Sequence, residues 1–264
     1  MSTLIDQTDE FQAGHAGLLL KQAEEMEYEL LSARAVQRFM LPPERQTLGR
    51  YDISQMYQPL HHIGGDFVDV LARPDGSVML MLGDIAGHGV PAAMTFAMLK
   101  LAFVRHAPDA AGPADLLNRV QKDLADRLPG GAFVTAMTAL LSADATHARV
   151  ASAGHPNPIL LRAGQGTQVK VESSFPLLVA PEIAYEDEAQ LTLAPADRLV
   201  FLTDGTLEAQ GADGQRNSAA ALLASLEKHT ARTGPAFLQA VYETLFFGDM
   251  VFHDDVTLVT VAVS

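Results

Sequence analysis

The sequence predicts an α+β fold in which hairpin-rich sheets are covered by pairs of helices. Three observations lead there. Strand-like segments come in runs and helix-like segments come in pairs, so the chain lacks the one-by-one alternation of a βαβ repeat. Of 264 residues, 48% are hydrophobic and 19% charged, enough apolar material for a full core and too little charge for a disordered chain. Turn residues such as Arg73-Pro74-Asp75-Gly76 punctuate the strand-like runs at short intervals. The length suits one large domain, or one domain with an appendage.

The first element is helical. From Leu18 to Met40, the residues Leu19, Ala23, Met26, Leu30, Ala33, Gln37 and Met40 recur at alternating spacings of four and three, and only Gln37 interrupts the seam. That spacing predicts a coiled-coil-like helix, with Glu24, Glu25, Glu27 and Glu29 on its solvated side. Pro42 and Pro43 end it, because neither can continue the hydrogen-bond ladder. Residues 1–43 therefore read as a helical linker or dimerisation segment and 44–264 as the folded domain; a helix packed on its own domain is the alternative reading of the seam.

Beyond the prolines, Tyr51–Tyr57, Asp66–Ala72 and Ser77–Asp84 read as strands, and Gly89–His106 and Gly112–Arg127 as a helix pair. Phe133–Ser142, His147–Ala153 and Pro158–Ala163 return to strands. After a less regular middle come a strand at Arg198–Thr203, helices at Ser218–His229 and Gly234–Phe247, and a closing strand at Val256–Val263.

Composition excludes several functions. Lys and Arg number 18 against 32 Asp and Glu, a formal charge of −14, which argues against a nucleic-acid binder relying on counterion release. With no cysteine there are no disulfides, thiolate nucleophiles or cysteine-based metal sites, so any metal must be held by oxygen or imidazole. The first ten residues carry acids and no apolar core of a secretory signal. The longest apolar stretch, Val90–Val104, is broken by Thr95 and Lys100 and falls short of the roughly 20 residues that span a bilayer. A cytoplasmic protein without membrane insertion is expected.

Four aspartate-centred signals stand at strand ends or turns: Gly64-Gly65-Asp66, Gly83-Asp84 with Gly87-His88-Gly89, Thr203-Asp204-Gly205 and His253-Asp254-Asp255. Carboxylates gathered in one cleft repel one another and pay a desolvation cost, so they either protonate or bind cations. Hard ions such as Mg²⁺ or Mn²⁺ prefer all-oxygen surroundings. Two such ions can clamp an attacking water and a leaving oxygen, as hydrolytic phosphoryl transfer requires. A single Gly-Asp is more often a turn than a ligand; the ordered set of four carries the inference.

That ordered set resembles the successive motifs of the PPM-type metal-dependent protein phosphatases, in their SpoIIE/RsbU-like bacterial branch. Gly64-Gly65-Asp66, Gly83-Asp84 with Gly87 to Ala93, Ala153-Gly154-His155, Thr203-Asp204-Gly205 and Asp254 to Leu258 carry the resemblance, and Ala33–Pro42 is similar to the branch's domain entry. It runs from about residue 33 to the C-terminus. It implies an αββα sandwich, two stacked antiparallel sheets flanked by helices, with two divalent cations, Mn²⁺ or Mg²⁺, between the sheets. Carried over, Asp84 would bridge the metals and the Ile85 carbonyl would bind one of them. Asp204 and Asp254 would hold the other, and Asp66 would bind directly or through water. A metal-bridging hydroxide would attack phosphorus in line. Asp255 is expected to support the site, because the family uses the first acid of that pair. His88 would donate to phosphate or to the leaving group, although a turn-packing role competes. His155 reads as a structural turn residue, and nothing in the spacing of His61, His62 or His253 makes them ligands.

The same resemblance implies a phosphoserine/phosphothreonine phosphatase acting on a phosphorylated STAS-type anti-sigma-factor antagonist in a bacterial partner-switching pathway. The N-terminal helix would form a homodimer or receive a signal from a sensor or activator. The alternative is a catalytically weak module that binds a switch protein through the same fold. One departure is plain: the family's glycine-flanked Leu-Pro-Leu segment appears as Ser174-Phe175-Pro176-Leu177-Leu178, without either glycine. It bears on the flap over the site, not on the proposed ligands.

Overall fold

A computed structural model describes residues 2–128, 130–211 and 214–264, with side chains of the first helix described from residue 17 onward. The chain divides into two compact units, Met1–Phe39 and Met40–Ser264. The first unit is helical: α1 runs Ser2–Met40, starting well before the expected Leu18. Residues 2–17 hold no proline and several good helix formers, among them Gln7, Glu10, Gln12 and Ala13. An apolar seam marks only the part of a helix that has one, so this start lay outside the signal. Leu19 and Met26 on the seam are more than half exposed, and Lys21 pairs with Glu25 one turn on at 3.8 Å.

The described residues of the second unit form two sheets. The first has the order β1 (Arg45–Leu48), β2 (Tyr51–Gln58), β12 (Val256–Val263), β11 (Arg198–Leu202), β7 (Ile159–Arg162) and β8 (Gln165–Gln168). The second has the order β10 (Ala189–Thr192), β6 (His147–Ala153), β5 (Val134–Leu141), β4 (Val78–Ile85) and β3 (Asp66–Ala72), with the short β9 (Ser173–Ser174) beside β6. All pairings are antiparallel except that of β9. The strands that the sequence pattern does not mark, β1, β8, β9 and β10, are short and at least half exposed along their length. Three of them lie at sheet edges. With little burial they carry no apolar alternation, so no period-2 signal marks them.

The central strands show why the layers stack. Along β4, Met79 and Met81 pack toward α2 (Val90–His106) and α3 (Pro113–Ala125), together with Phe67, Phe96, Leu99, Phe103 and Val120. Leu80 and Leu82, one residue out of phase, face the other sheet and meet Ile53, Phe201, Val259 and Val261. In β11 the same alternation sends Val200 and Leu202 outward to Leu222 of α5 (Ala219–Lys228) and to Phe237 and Val241 of α6 (Gly234–Leu245). Strands covered on both faces read as continuous apolar runs, as Val78–Leu82 does. The result is the αββα sandwich. Phe67 anchors its first interface, with ring centroids 5.2 Å from Phe96 and 6.3 Å from Phe103; burying each such ring is worth roughly 1.5–3 kcal/mol.

Candidate metal centre

The antiparallel registers bring the aspartate motifs to one end of the sandwich. In the second sheet Asp84, near the end of β4, stands opposite Asp66 on β3 and Thr135 on β5. In the first sheet β11 and β12 are neighbours, with Leu202 opposite Leu258. Asp204 follows β11 and opens the single turn α4 (Gly205–Glu208), while Asp254 precedes β12. Carboxylate oxygens of Asp84, Asp204 and Asp254 all lie within 4.8 Å of one another, each on a partly buried side chain.

Electrostatics make this trio unstable as three bare anions. Burial, then the charges of Asp204, Asp254, Asp255 and Glu208, push the Asp84 carboxyl up to about 7. Burial and Glu208 raise Asp204. Burial, with Asp204, Asp255 and Glu208 adding to it, raises Asp254. At the 4.8 Å limit, an effective dielectric near 20 gives roughly 3.5 kcal/mol of repulsion for each ionised pair. A hard divalent cation removes that repulsion and prefers oxygen donors, so the donor set fits Mg²⁺ or Mn²⁺.

A glycine lets the backbone close on Asp84. A Cβ on Gly65 would lie 2.7 Å from the Ile85 carbonyl oxygen, 3.3 Å from the Gly87 carbonyl and 3.7 Å from Asp84 Oδ1. Only glycine lets the 60–66 loop approach the Ile85 carbonyl and the Asp84 carboxylate together. The approach is fixed by the Ile85 N–H, which donates to the Gly65 carbonyl at 3.2 Å. After Ile85 the chain turns through Gly87 and Gly89, both at positive φ, into α2, where Pro91 stands in the first turn.

Asp66 lies outside the group of three. It is buried, and its Oδ2 accepts hydrogen bonds from the hydroxyls of Thr257 at 2.6 Å and Thr203 at 2.8 Å. Burial, with Asp84 and Asp255 nearby, holds its carboxyl well above the usual range, and the two hydroxyls oppose that rise. Thr203 precedes Asp204 and Thr257 stands two residues after Asp255, so Asp66 ties the second sheet to the ends of the first that carry Asp204 and Asp254.

His88 is exposed in the β4–α2 turn, and its ring lies 5.5 Å from that of His61, which comes from the 60–66 loop. His155 is buried, its Nδ1 2.8 Å from Thr135 Oγ1, and burial drives its ring down to about 3, so it is neutral. Sequence reading missed Glu208. It stands four residues after Asp204 across α4, acts on all three clustered aspartates, and pairs with Arg216 at 3.0 Å. Its spacing from Asp204 on a helix start was the available signal. The glycine-poor flap has other anchors: Leu177 bridges Val134, the Tyr185 hydroxyl donates to the Phe175 carbonyl at 3.0 Å, and Gln121 of α3 donates to the Ile183 carbonyl at 3.0 Å.

Solved structures share this architecture. The SiaA-PP2C domain of Pseudomonas aeruginosa superposes with a TM-score of 0.79 at 22% identity, covering 92% of this chain and 98% of that one. The RsbU and RsbW domains of a Mycobacterium tuberculosis protein give a TM-score of 0.73 at 25% identity, over 84% of this chain and 61% of that one. Fold and site define a serine/threonine protein phosphatase domain of the PPM, or PP2C, class. Residues 74–264 match the family described as Stage II sporulation protein E (SpoIIE), and the chain belongs to that family. The phosphoserine phosphatase RsbU of Bacillus subtilis is 23% identical over 240 residues, which make up 89% of this chain and 70% of that protein.

Proposed function

We propose that the chain is a Mn²⁺- or Mg²⁺-dependent phosphoserine/phosphothreonine protein phosphatase whose substrate is a phosphorylated STAS-type anti-sigma-factor antagonist in a partner-switching pathway. The observation that carries the chemistry is the meeting of Asp84, Asp204 and Asp254 within 4.8 Å, with Asp84 pushed to about 7 by burial and by four neighbouring acids, Asp204, Asp254, Asp255 and Glu208. The similarity to RsbU, and the pairing of RsbU with RsbW domains in the mycobacterial structure, support the substrate class.

In this reading Asp84, the Ile85 carbonyl, Asp204 and Asp254 hold two divalent cations, and Asp66 supports them from behind Asp84. The bound ions supply Lewis acidity, which acidifies water and polarises the phosphoryl group. Asp84, near the end of β4, would be the carboxylate the two ions share. His88, exposed in the turn after it, donates to a phosphoryl oxygen or to the departing seryl oxygen. The sheet ends exclude water from the carboxylates' inner side through Thr203, Thr257 and Asp66, all buried.

Residues 44–264 form the phosphatase domain, and 1–43 supply a linker that dimerises or receives a signal; the exposed apolar residues of α1 support that role. Among the described residues no helix is long and apolar enough to cross a membrane, and we place the protein in the cytoplasm. The test is phosphate release from a phosphorylated STAS-type protein by the purified chain. Release that requires Mn²⁺ or Mg²⁺ and stops with a chelator is expected. A stable complex without release would instead identify a binding module.

A further inference from the structure

Asp255 stands beside a proposed ligand, yet its carboxylate is not part of the group of three. It is 5% exposed, and both oxygens are committed to one loop. Oδ1 accepts the Leu60 N–H at 2.7 Å. Oδ2 accepts the Gly65 N–H at 2.5 Å and the Asp66 N–H at 3.3 Å. A Cβ on Gly64 would collide with this same Oδ2 and with the Tyr57 hydroxyl, so the loop closes directly onto the carboxylate. The backbone of Asp255 does two further jobs. Its N–H donates to Asp254 Oδ1 at 2.8 Å, and its carbonyl oxygen occupies the space a Cβ on Gly205 would need.

One residue therefore contacts three separate motifs: the 60–66 loop through its side chain, Asp254 through its N–H, and the turn after Asp204 through its carbonyl. We infer that Asp255 is a positioning residue that sets the metal centre without touching a metal, by holding the 60–66 loop against the Ile85 carbonyl and Asp84. The inference rests on the metal-dependent phosphatase reading above. A carboxylate is required for this task. An amide offers one acceptor oxygen, and its NH₂ would face a backbone donor of the loop. Loss of the loop's grip loosens Asp66 and the Gly65–Ile85 contact, and outer partners of this kind typically change metal affinity or activity by about 10–100-fold.

The experiment compares the full chain with Asp255→Asn and Leu60→Pro, measuring Mn²⁺ activation of aryl phosphate hydrolysis, bound ions per chain and thermal stability. Leu60→Pro removes a single N–H that Oδ1 accepts and leaves the carboxylate in place. The expected result for Asp255→Asn is a roughly 10–100-fold rise in the Mn²⁺ concentration giving half-maximal activity. Its ion count should be unchanged and its rate largely recovered at saturating Mn²⁺. Leu60→Pro should shift the same constant in the same direction by less. Loss of one bound ion in Asp255→Asn would overturn the inference by making Asp255 a ligand. An unchanged activation constant with lowered stability would overturn it by leaving only a structural role. If Asp255→Asn fails to fold, an unchanged constant in Leu60→Pro is decisive against it. A wild-type chain without metal-dependent hydrolysis would sink the phosphatase reading itself, whereas an active wild type matched by both variants would remove only this positioning role.

Discussion

Two aspartates with opposite surroundings show how this fold treats negative charge. Asp197, 2% exposed before β11, is met by Arg162, whose Nη2 lies 2.5 Å from its carboxylate, and by the Ala194 N–H at 2.8 Å. Burial alone would raise it, but these partners bring it below the usual carboxylate range. Asp84 is less buried and among the described residues pairs with no cation; its electrostatic neighbours are Asp204, Asp254, Asp255 and Glu208, and it rises to about 7. Arginine meets the carboxylate that serves structure, whereas among the described residues no ion pair reaches Asp84, Asp204 or Asp254, and Arg216 pairs with Glu208 at their margin. A cluster of unrelieved acids on well-ordered strand ends is kept at a cost in stability, and a bound cation offsets that cost.

Replacing an aspartate by asparagine should have opposite consequences in the two regions. The largest effect is on catalysis: Asp84→Asn should lower phosphate release on the order of 10²–10³-fold or more, read from initial rates at saturating Mn²⁺. Next is pH dependence. Asp84 binds its proton more tightly folded than unfolded, so its contribution to stability is fully present below about pH 4 and is lost as pH rises through about 7. The melting temperature of the metal-free chain should therefore fall across that window, and millimolar Mn²⁺ should flatten the decline. Smallest is the inversion of sign in thermal melts. In metal-free protein Asp84→Asn should raise the melting temperature by a few degrees, whereas Asp197→Asn should lower it by a few degrees, about 1–2 kcal/mol in each direction. Destabilisation by both variants would break the contrast.

The same two regions show what the sequence made legible. The strand and helix pattern is readable wherever elements are buried, because Val78–Leu82 or Pro113–Ala125 must present apolar residues at the period of their layer. It fades at the edges, where Arg45–Leu48 and Gln165–Gln168 each pair with a strand on one side only and bury little apolar surface. At the site, the four aspartate motifs announced themselves, and three of their aspartates, Asp84, Asp204 and Asp254, do converge. The resemblance already set Asp255 in support of the site, but the contacts behind that ranking were not legible. That Asp66 is held behind the others by Thr203 and Thr257, that Asp255 grips the 60–66 loop, and that Glu208 adds to the field all depend on which strand ends meet. Side-chain hydrogen bonds spanning more than 130 residues of sequence, such as Thr203 to Asp66 at a separation of 137, leave no local periodicity to read.

The central claim is that Asp84, Asp204 and Asp254 form a site for divalent cations, and calorimetric titration of Mn²⁺ into chelator-stripped protein tests it most directly. Saturable binding of about two ions per chain, as two-metal hydrolytic sites require, is expected, together with its loss in Asp84→Asn. A flat titration up to millimolar Mn²⁺, or binding that survives Asp84→Asn unchanged, would contradict it.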